Sequence, residues 1–181
     1  PFLFEPRNPV YYPAFFERFG FHELHTWDSY DLPAVELCDG LTGQWQVDRK
    51  AARARRRFRL SFPISADAPA TLARLHDVLD EVWTGHLGYT PLDREEFNEV
   101  FGGVLAILPE GYLAVLEGLE GCDAGLAFMY PDYADAVRRL DGDARGWGRW
   151  RRDPRPRRVI LHTMALAPRA RGGGALCLFL D

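Results

Sequence analysis

Apolar positions along this chain recur at two spacings, and the spacing changes wherever glycine or proline intervenes. Leu72, Leu75, Val78, Leu79, Val82 and Trp83 fall three and four residues apart, which is the period of one face of an α-helix. The expected helix follows Ala68-Pro69, since proline in a first turn removes no intrahelical hydrogen bond. Gly85 to Thr90 interrupts it, and Phe97, Val100, Phe101, Val104, Leu105 and Leu108 then repeat the pattern. Asp93 with Glu96 predicts a capping box at the start of this second helix. Strands are expected at Phe58 to Ile64, with Phe58, Leu60 and Phe62 on one face, and at Tyr112 to Leu116 and Ala124 to Tyr130 on either side of a Gly/acidic turn. A further strand is expected at Val159 to Leu166, followed by a glycine loop and a helix over Ala175 to Leu180. Nearer the N-terminus, Phe2 to Glu5 reads as a short strand and Tyr12 to Phe19 as a helix with Pro13 in its first turn. His22 to Tyr30 reads as a strand because Leu24, Thr26, Asp28 and Tyr30 alternate with His25, Trp27 and Ser29. Gly40 to Arg57, with its Gly, Gln and basic run, reads as a linker.

The richest chemistry lies where the last strand ends. Thr163-Met164-Ala165-Leu166-Ala167 breaks at Pro168 and enters a loop holding Arg169, Arg171 and the triplet Gly172-Gly173-Gly174. Strand, glycine-rich turn and helix together present bare backbone N–H groups to an anion, and arginine adds forked donors for phosphate oxygens. A pyrophosphate site is therefore expected. The nucleotide-binding P-loop is excluded, because it needs a lysine after its second glycine and the chain's single lysine is Lys50. The dinucleotide fingerprint is excluded by its glycine spacing and by the acid it requires ~20 residues further on.

Ala165-Leu166-Ala167-Pro168 and the following loop resemble the acyl-CoA loop of the GNAT superfamily of N-acetyltransferases, whose signature is Arg/Gln-x-x-Gly-x-Gly/Ala. Arg169 with Gly172 and Gly174 fills the signature. Counted from Pro168 instead, Arg171 and Gly174 take the arginine and first glycine slots, leaving Leu176 where Gly or Ala is usual. The stretch Asn8 to Phe21 is similar to the GNAT segment after the CoA helix, where an Asn precedes a helix that closes on Gly-Phe (here Gly20-Phe21). Many members carry a tyrosine four residues before that pair, acting as general acid toward the departing thiolate. Phe16 stands there, and a phenyl ring has no proton to donate. Within one GNAT domain the loop precedes the Gly-Phe segment, whereas here it follows. The resemblance therefore implies a tandem protein, of which this chain is expected to be a piece.

The fold so implied is α/β (mixed α+β), a GNAT-like twisted mixed sheet flanked by helices, in parts of two tandem lobes. Residues 1–45 would be the C-terminal part of the first, 46–57 a basic linker, and 58–181 the N-terminal part of the second. The activity implied is transfer of acetyl from acetyl-CoA, a co-substrate, to a small-molecule or peptide amine in a bacterial protein. Ala165, Leu166, Arg169, Ala170, Arg171, Gly172, Gly173 and Gly174 would hold the cofactor. His162, four residues before Leu166, stands where related arylalkylamine acetyltransferases place a histidine and is the expected general base. Strand alternation would put His162, Met164 and Leu166 on one face. Backbone N–H near Leu166 would polarise the thioester carbonyl.

Remaining features are weaker. Glu95 and Glu96 suit a helix start; His76 and His86 flank the helix near which the family binds acceptors; His22 and His25 lack partners at ligand spacing, so no metal is expected. Trp147 and Trp150 would line an acceptor pocket or stack on arginines. Arg53, Arg55, Arg56, Arg57 and Arg59, and a second cluster from Arg149 to Arg158, raise an alternative of nucleic-acid binding. Against it stands a net charge of −4 over 181 residues. A second alternative is a catalytically degenerate acyl-CoA sensor or scaffold, favoured by Phe16. Cys38, Cys122 and Cys177 are odd in number and widely spaced, which fits neither a disulfide framework nor zinc, so a reducing cytoplasm is expected. No apolar run is long enough to span a bilayer, so no membrane partner is expected, and a homodimer is compatible with the reading.

Overall fold

A computed structural model describes residues 8–31, 44–63, 67–146 and 158–180. Backbone clustering divides the chain into two units, Pro1–Gly40 with Asp132–Arg157, and Leu41–Pro131 with Arg158–Asp181. The helices are α1 (Tyr12–Arg18), α2 (Gln44–Ala54), α3 (Ala68–Trp83), α4 (Arg94–Ile107), α5 (Ala134–Leu140) and α6 (Leu176–Leu180). The strands are β1 (Phe58–Ser61), β2 (Leu113–Gly118), β3 (Asp123–Pro131) and β4 (Val159–Leu166).

In the first unit, α1 ends in a Schellman turn. Gly20 takes φ +88°, the Phe21 N–H bonds to the Phe16 carbonyl at 3.1 Å, and the Gly20 N–H to that of Glu17 at 3.0 Å. The aromatic residues of α1 are exposed, and none of its residues is buried. The strand expected at His22 to Tyr30 does not form. Alternation supplies a strand's faces, but a strand also needs a partner edge, and none pairs with this segment among the described residues. The strand expected at Phe2 to Glu5 lies outside the described residues, as do Trp147, Trp150 and most of the second arginine cluster.

The second unit is α+β, with one sheet in the order β1-β2-β3-β4. Where a mixed sheet is expected from sequence, every pairing among the described residues is antiparallel. Successive residues point to opposite faces, so Val115 and Leu126 pack beneath α3 and α4 while Leu116 and Ala124 pack against α2 and α6. Leu72, Val78, Leu79 and Val82 of α3 are buried, each contributing about 1.5–3 kcal/mol of hydrophobic stabilisation. At the start of α4, Asp93 Oδ1 accepts from the N–H groups of Glu95 (2.8 Å) and Glu96 (2.9 Å), and Glu96 reaches back to the Asp93 N–H. These are the two halves of the capping box.

Within the stretch read as a linker, Gln44–Ala54 is helical. Val47, Ala51 and Ala54, one face of α2, are buried, and Ala51 and Ala54 pack on the sheet side that α6 also covers. Arg74 of α3 binds Asp123 through two bonds of 2.7 and 2.8 Å and Glu117 at 2.8 Å, fastening the helix to the β2–β3 hairpin.

Candidate functional site

The glycine loop begins where β4, the outer strand of the sheet among the described residues, ends. Pro168–Ala170 forms one turn of 3-10 helix, and Ala170 donates its N–H to the Ala167 carbonyl while its side chain is buried. Ala170 therefore offers an anion nothing. The Arg171 N–H is likewise taken, by the Pro168 carbonyl. The next three residues differ: the N–H groups of Gly172, Gly173 and Gly174 donate to no acceptor among the described residues. Gly172 and Gly174 take positive φ, +75° and +82°, a conformation that favours glycine.

Gly174 also has a packing role. A Cβ there would lie 2.8 Å from the Lys50 carbonyl oxygen, so the glycine lets the loop seat against α2. A Cβ on Gly173 would meet only Arg57 Nη1, at 3.6 Å, and Ala170 O, at 3.9 Å. This places the Arg57 guanidinium beside the unpaired N–H groups, with its carbon 5.2 Å from the centre of the Phe58 ring. Sequence reading assigned Arg57 to a linker; the basic run was visible, but not the packing of α2 that brings it to the loop.

The two arginines expected at the site are held differently. Arg169 pairs with both carboxylate oxygens of Glu81 and donates to the Asp123 carbonyl. It ties the loop to α3 and β3, and its charge is already matched. Arg171 Nε donates to the Leu166 carbonyl at 3.1 Å, holding this exposed side chain at the end of β4.

Backbone direction along β4 follows from one bond. The Ala167 N–H bonds to the Ala124 carbonyl of β3. In an antiparallel ladder the neighbouring residue turns its backbone groups the other way, so the Leu166 N–H points to the outer edge, where no strand pairs among the described residues. The Ala165 side chain is buried beneath α3 and α4, leaving only its backbone for any ligand.

His162 departs from simple alternation. Phe128 pairs with Thr163 and Met129 with Leu161, so His162 is the extra residue of a β-bulge. A bulge re-aims side chains, and His162 joins Thr163 in lining an apolar cleft with residues of α3 and α4. The expected shared face with Met164 and Leu166 is therefore overturned. The imidazole lies 5.7 Å from the rings of both Phe128 and Tyr130, and its Nδ1 is 2.9 Å from Thr163 Oγ1. The residue stays exposed as a whole, but partial desolvation by the neighbouring rings pushes its pKa below the ordinary 6.5, because desolvation disfavours the imidazolium. In the tautomer whose Nδ1–H donates to Thr163 Oγ1, Nε2 presents a lone pair, the state a general base requires.

His76, flagged near the first helix, is held by the Leu92 carbonyl (3.0 Å) and packs edge-on to Phe97; it braces the α3–α4 connection. Glu96 serves the α4 cap and Glu95 lends it a backbone N–H. Among the described residues no group of three or more His, Cys, Asp or Glu is placed to hold a metal ion, and no helix is long and apolar enough to cross a membrane. No protein-family model, curated protein or solved structure gives a significant match to the chain.

Proposed function

We propose that this chain carries the front half of a GNAT-type acyltransferase lobe, moving an acetyl group from acetyl-CoA to the amine of a small molecule or peptide by direct transfer. The observation carrying this reading is the Gly172–Gly174 run, three consecutive N–H groups without acceptors among the described residues, at the end of the outer strand of the described sheet. Its residues fit a diphosphate: unpaired N–H groups receive the oxygens, and Arg57 and Arg171 add charge. Acetyl-CoA, when bound, supplies a thioester activated for attack by nitrogen. The outward Leu166 N–H would polarise the thioester carbonyl. His162 Nε2 would take a proton from the incoming ammonium, freeing the lone pair that forms the C–N bond as the C–S bond breaks. Tandem lobes belong to the same proposal, with Asn8 to Phe21 as the tail of a first lobe; Phe16 leaves that copy without a tyrosine acid.

Release of free CoA thiol in the presence of acetyl-CoA and a panel of small amines tests the reading. His162→Gln is expected to lower kcat/KM by about 10²-fold and to leave acetyl-CoA affinity nearly unchanged, since the phosphates are held elsewhere. Undiminished turnover in the mutant would remove His162 from the mechanism. Acetyl-CoA binding without turnover of any amine would instead indicate the sensor.

A further inference from the structure

Cations around the glycine loop divide into those already matched and those that are not. Arg169 is spent on Glu81, and Arg59 of the basic run on Glu117. Lys50, Arg53, Arg57 and Arg171 are exposed, and none of the four has a carboxylate partner among the described residues. Packing gathers them. A Cβ on Gly174 would lie 3.1 Å from Lys50 Cβ, and one on Gly173 would lie 3.6 Å from Arg57 Nη1, so both side chains leave α2 and its following turn beside the loop. That turn continues the winding of the helix, since the N–H groups of Arg55 and Arg57 bond to the Ala51 and Ala54 carbonyls, each at 2.9 Å. Lys50, Arg53 and Arg57, spaced three and four residues apart, therefore share one flank of the buried stripe. The strip they form runs ~10 Å along the helix axis, further than one diphosphate reaches.

Counting charge shows what the strip can take. A diphosphate diester carries two negative charges. Arg57, beside Gly173, and Arg171, next to Gly172 in the chain, match those two. Lys50 and Arg53 are left over. A phosphate monoester carries a charge of about −1.5 to −2 at neutral pH, which this remaining pair would balance. A nucleic-acid strand suits the strip less well, because its charge is spread one per nucleotide and its bases need aromatic platforms. The ring against Arg57, that of Phe58, is buried and offers no such platform.

We propose that Lys50 and Arg53 on the flank of α2 form a second anion subsite, taking a phosphate monoester on the ligand whose diphosphate lies on the glycine loop. For the acyl donor this names free CoA bearing its 3′-phosphate, rather than dephospho-CoA or pantetheine on a carrier protein. Naming the donor rests on the acyltransferase reading; the preference of α2 for a monoester does not.

The experiment titrates acetyl-CoA and acetyl-dephospho-CoA by calorimetry into the intact chain, into a variant carrying both Lys50→Gln and Arg53→Gln, and into Arg94→Gln. Both α2 side chains are exposed, so the melting temperature of the double variant should barely move. Arg94 lies on α4, across the sheet from α2, and controls for the loss of positive charge as such. The intact chain should bind acetyl-CoA at least about tenfold more tightly than acetyl-dephospho-CoA. The double variant should lose that margin while holding acetyl-dephospho-CoA as before, and Arg94→Gln should keep it. Raising salt from about 50 to about 200 mM should narrow the margin in the intact chain. Equal affinity for the two donors, a margin that survives in the double variant, or failure of both donors to bind would overturn the proposal. So would a mixed-sequence single-stranded oligonucleotide that binds more tightly than acetyl-CoA and is released by the same double variant. Equal affinities accompanied by acetyl transfer to an amine would refute the subsite and leave the acyltransferase reading standing. A margin that holds without transfer to any amine would do the reverse.

Discussion

At the scale of single residues, the three glycines of the loop are not equivalent. Gly174 combines positive φ with a seat where an added Cβ would lie 2.8 Å from the Lys50 carbonyl oxygen, whereas Gly173 has neither constraint. Gly174→Val should therefore cost on the order of 2–4 kcal/mol in denaturant unfolding, through overpacking and backbone strain, while Gly173→Ala should be nearly neutral. Equal losses would mean that the loop does not seat on α2 as described. His162 carries a second residue-scale expectation. Its lowered pKa keeps the imidazole neutral below the ordinary value of 6.5, so the acid limb of kcat/KM should fall below pH 6.5 rather than at it. The same shift makes protonation unfavourable in the fold. Stability should be insensitive to this group above pH 6.5 and should decline as pH drops toward the lowered value, because the unfolded chain binds the proton first.

At the scale of elements, Arg74 is the fastening to test. Glu117 is held down to about 2 from an ordinary 4.5 by the nearby Ser61 hydroxyl and by the Arg59 and Arg74 guanidiniums. A carboxylate with a depressed pKa stabilises the fold fully above its unfolded value and loses that contribution as pH falls toward the folded one. Unfolding monitored between pH 5 and pH 2 should therefore show a loss of about 1–2 kcal/mol after solvent screening, absent in Glu117→Gln. Arg74→Met, which strands Asp123 and leaves Glu117 to Arg59 alone, should cost about 2–3 kcal/mol at neutral pH. An acid profile unchanged by Glu117→Gln would assign the acid sensitivity to other groups.

The same scale shows what the sequence could disclose. The two long helices and the four strands of the sheet were legible because each carries a strong local period and a cap or turn at its ends; β4 falls on Val159–Leu166 as expected. α2 was hidden because its buried stripe is only Val47, Ala51 and Ala54, overshadowed by a basic run. The bulge at His162 depends on register against β3, and the Arg74 ion pairs join residues 43 and 49 apart. Neither leaves a local trace. The glycine loop was legible as a place, but the division of labour among Arg57, Arg169 and Arg171 was not, since it follows from which helix packs beside the loop.

At the scale of the whole molecule, the central claim is that the end of β4 and the glycine loop receive the diphosphate of an acyl-CoA. A calorimetric titration of acetyl-CoA into the intact chain and into Gly173→Glu tests this most directly. Gly173 accepts a side chain without backbone conflict, and a carboxylate there would stand among the three N–H groups and repel phosphate. The account predicts saturable binding by the wild type, weakened at least about tenfold in the variant with its melting temperature preserved. Absence of binding, or equal affinity in the two proteins, would contradict it.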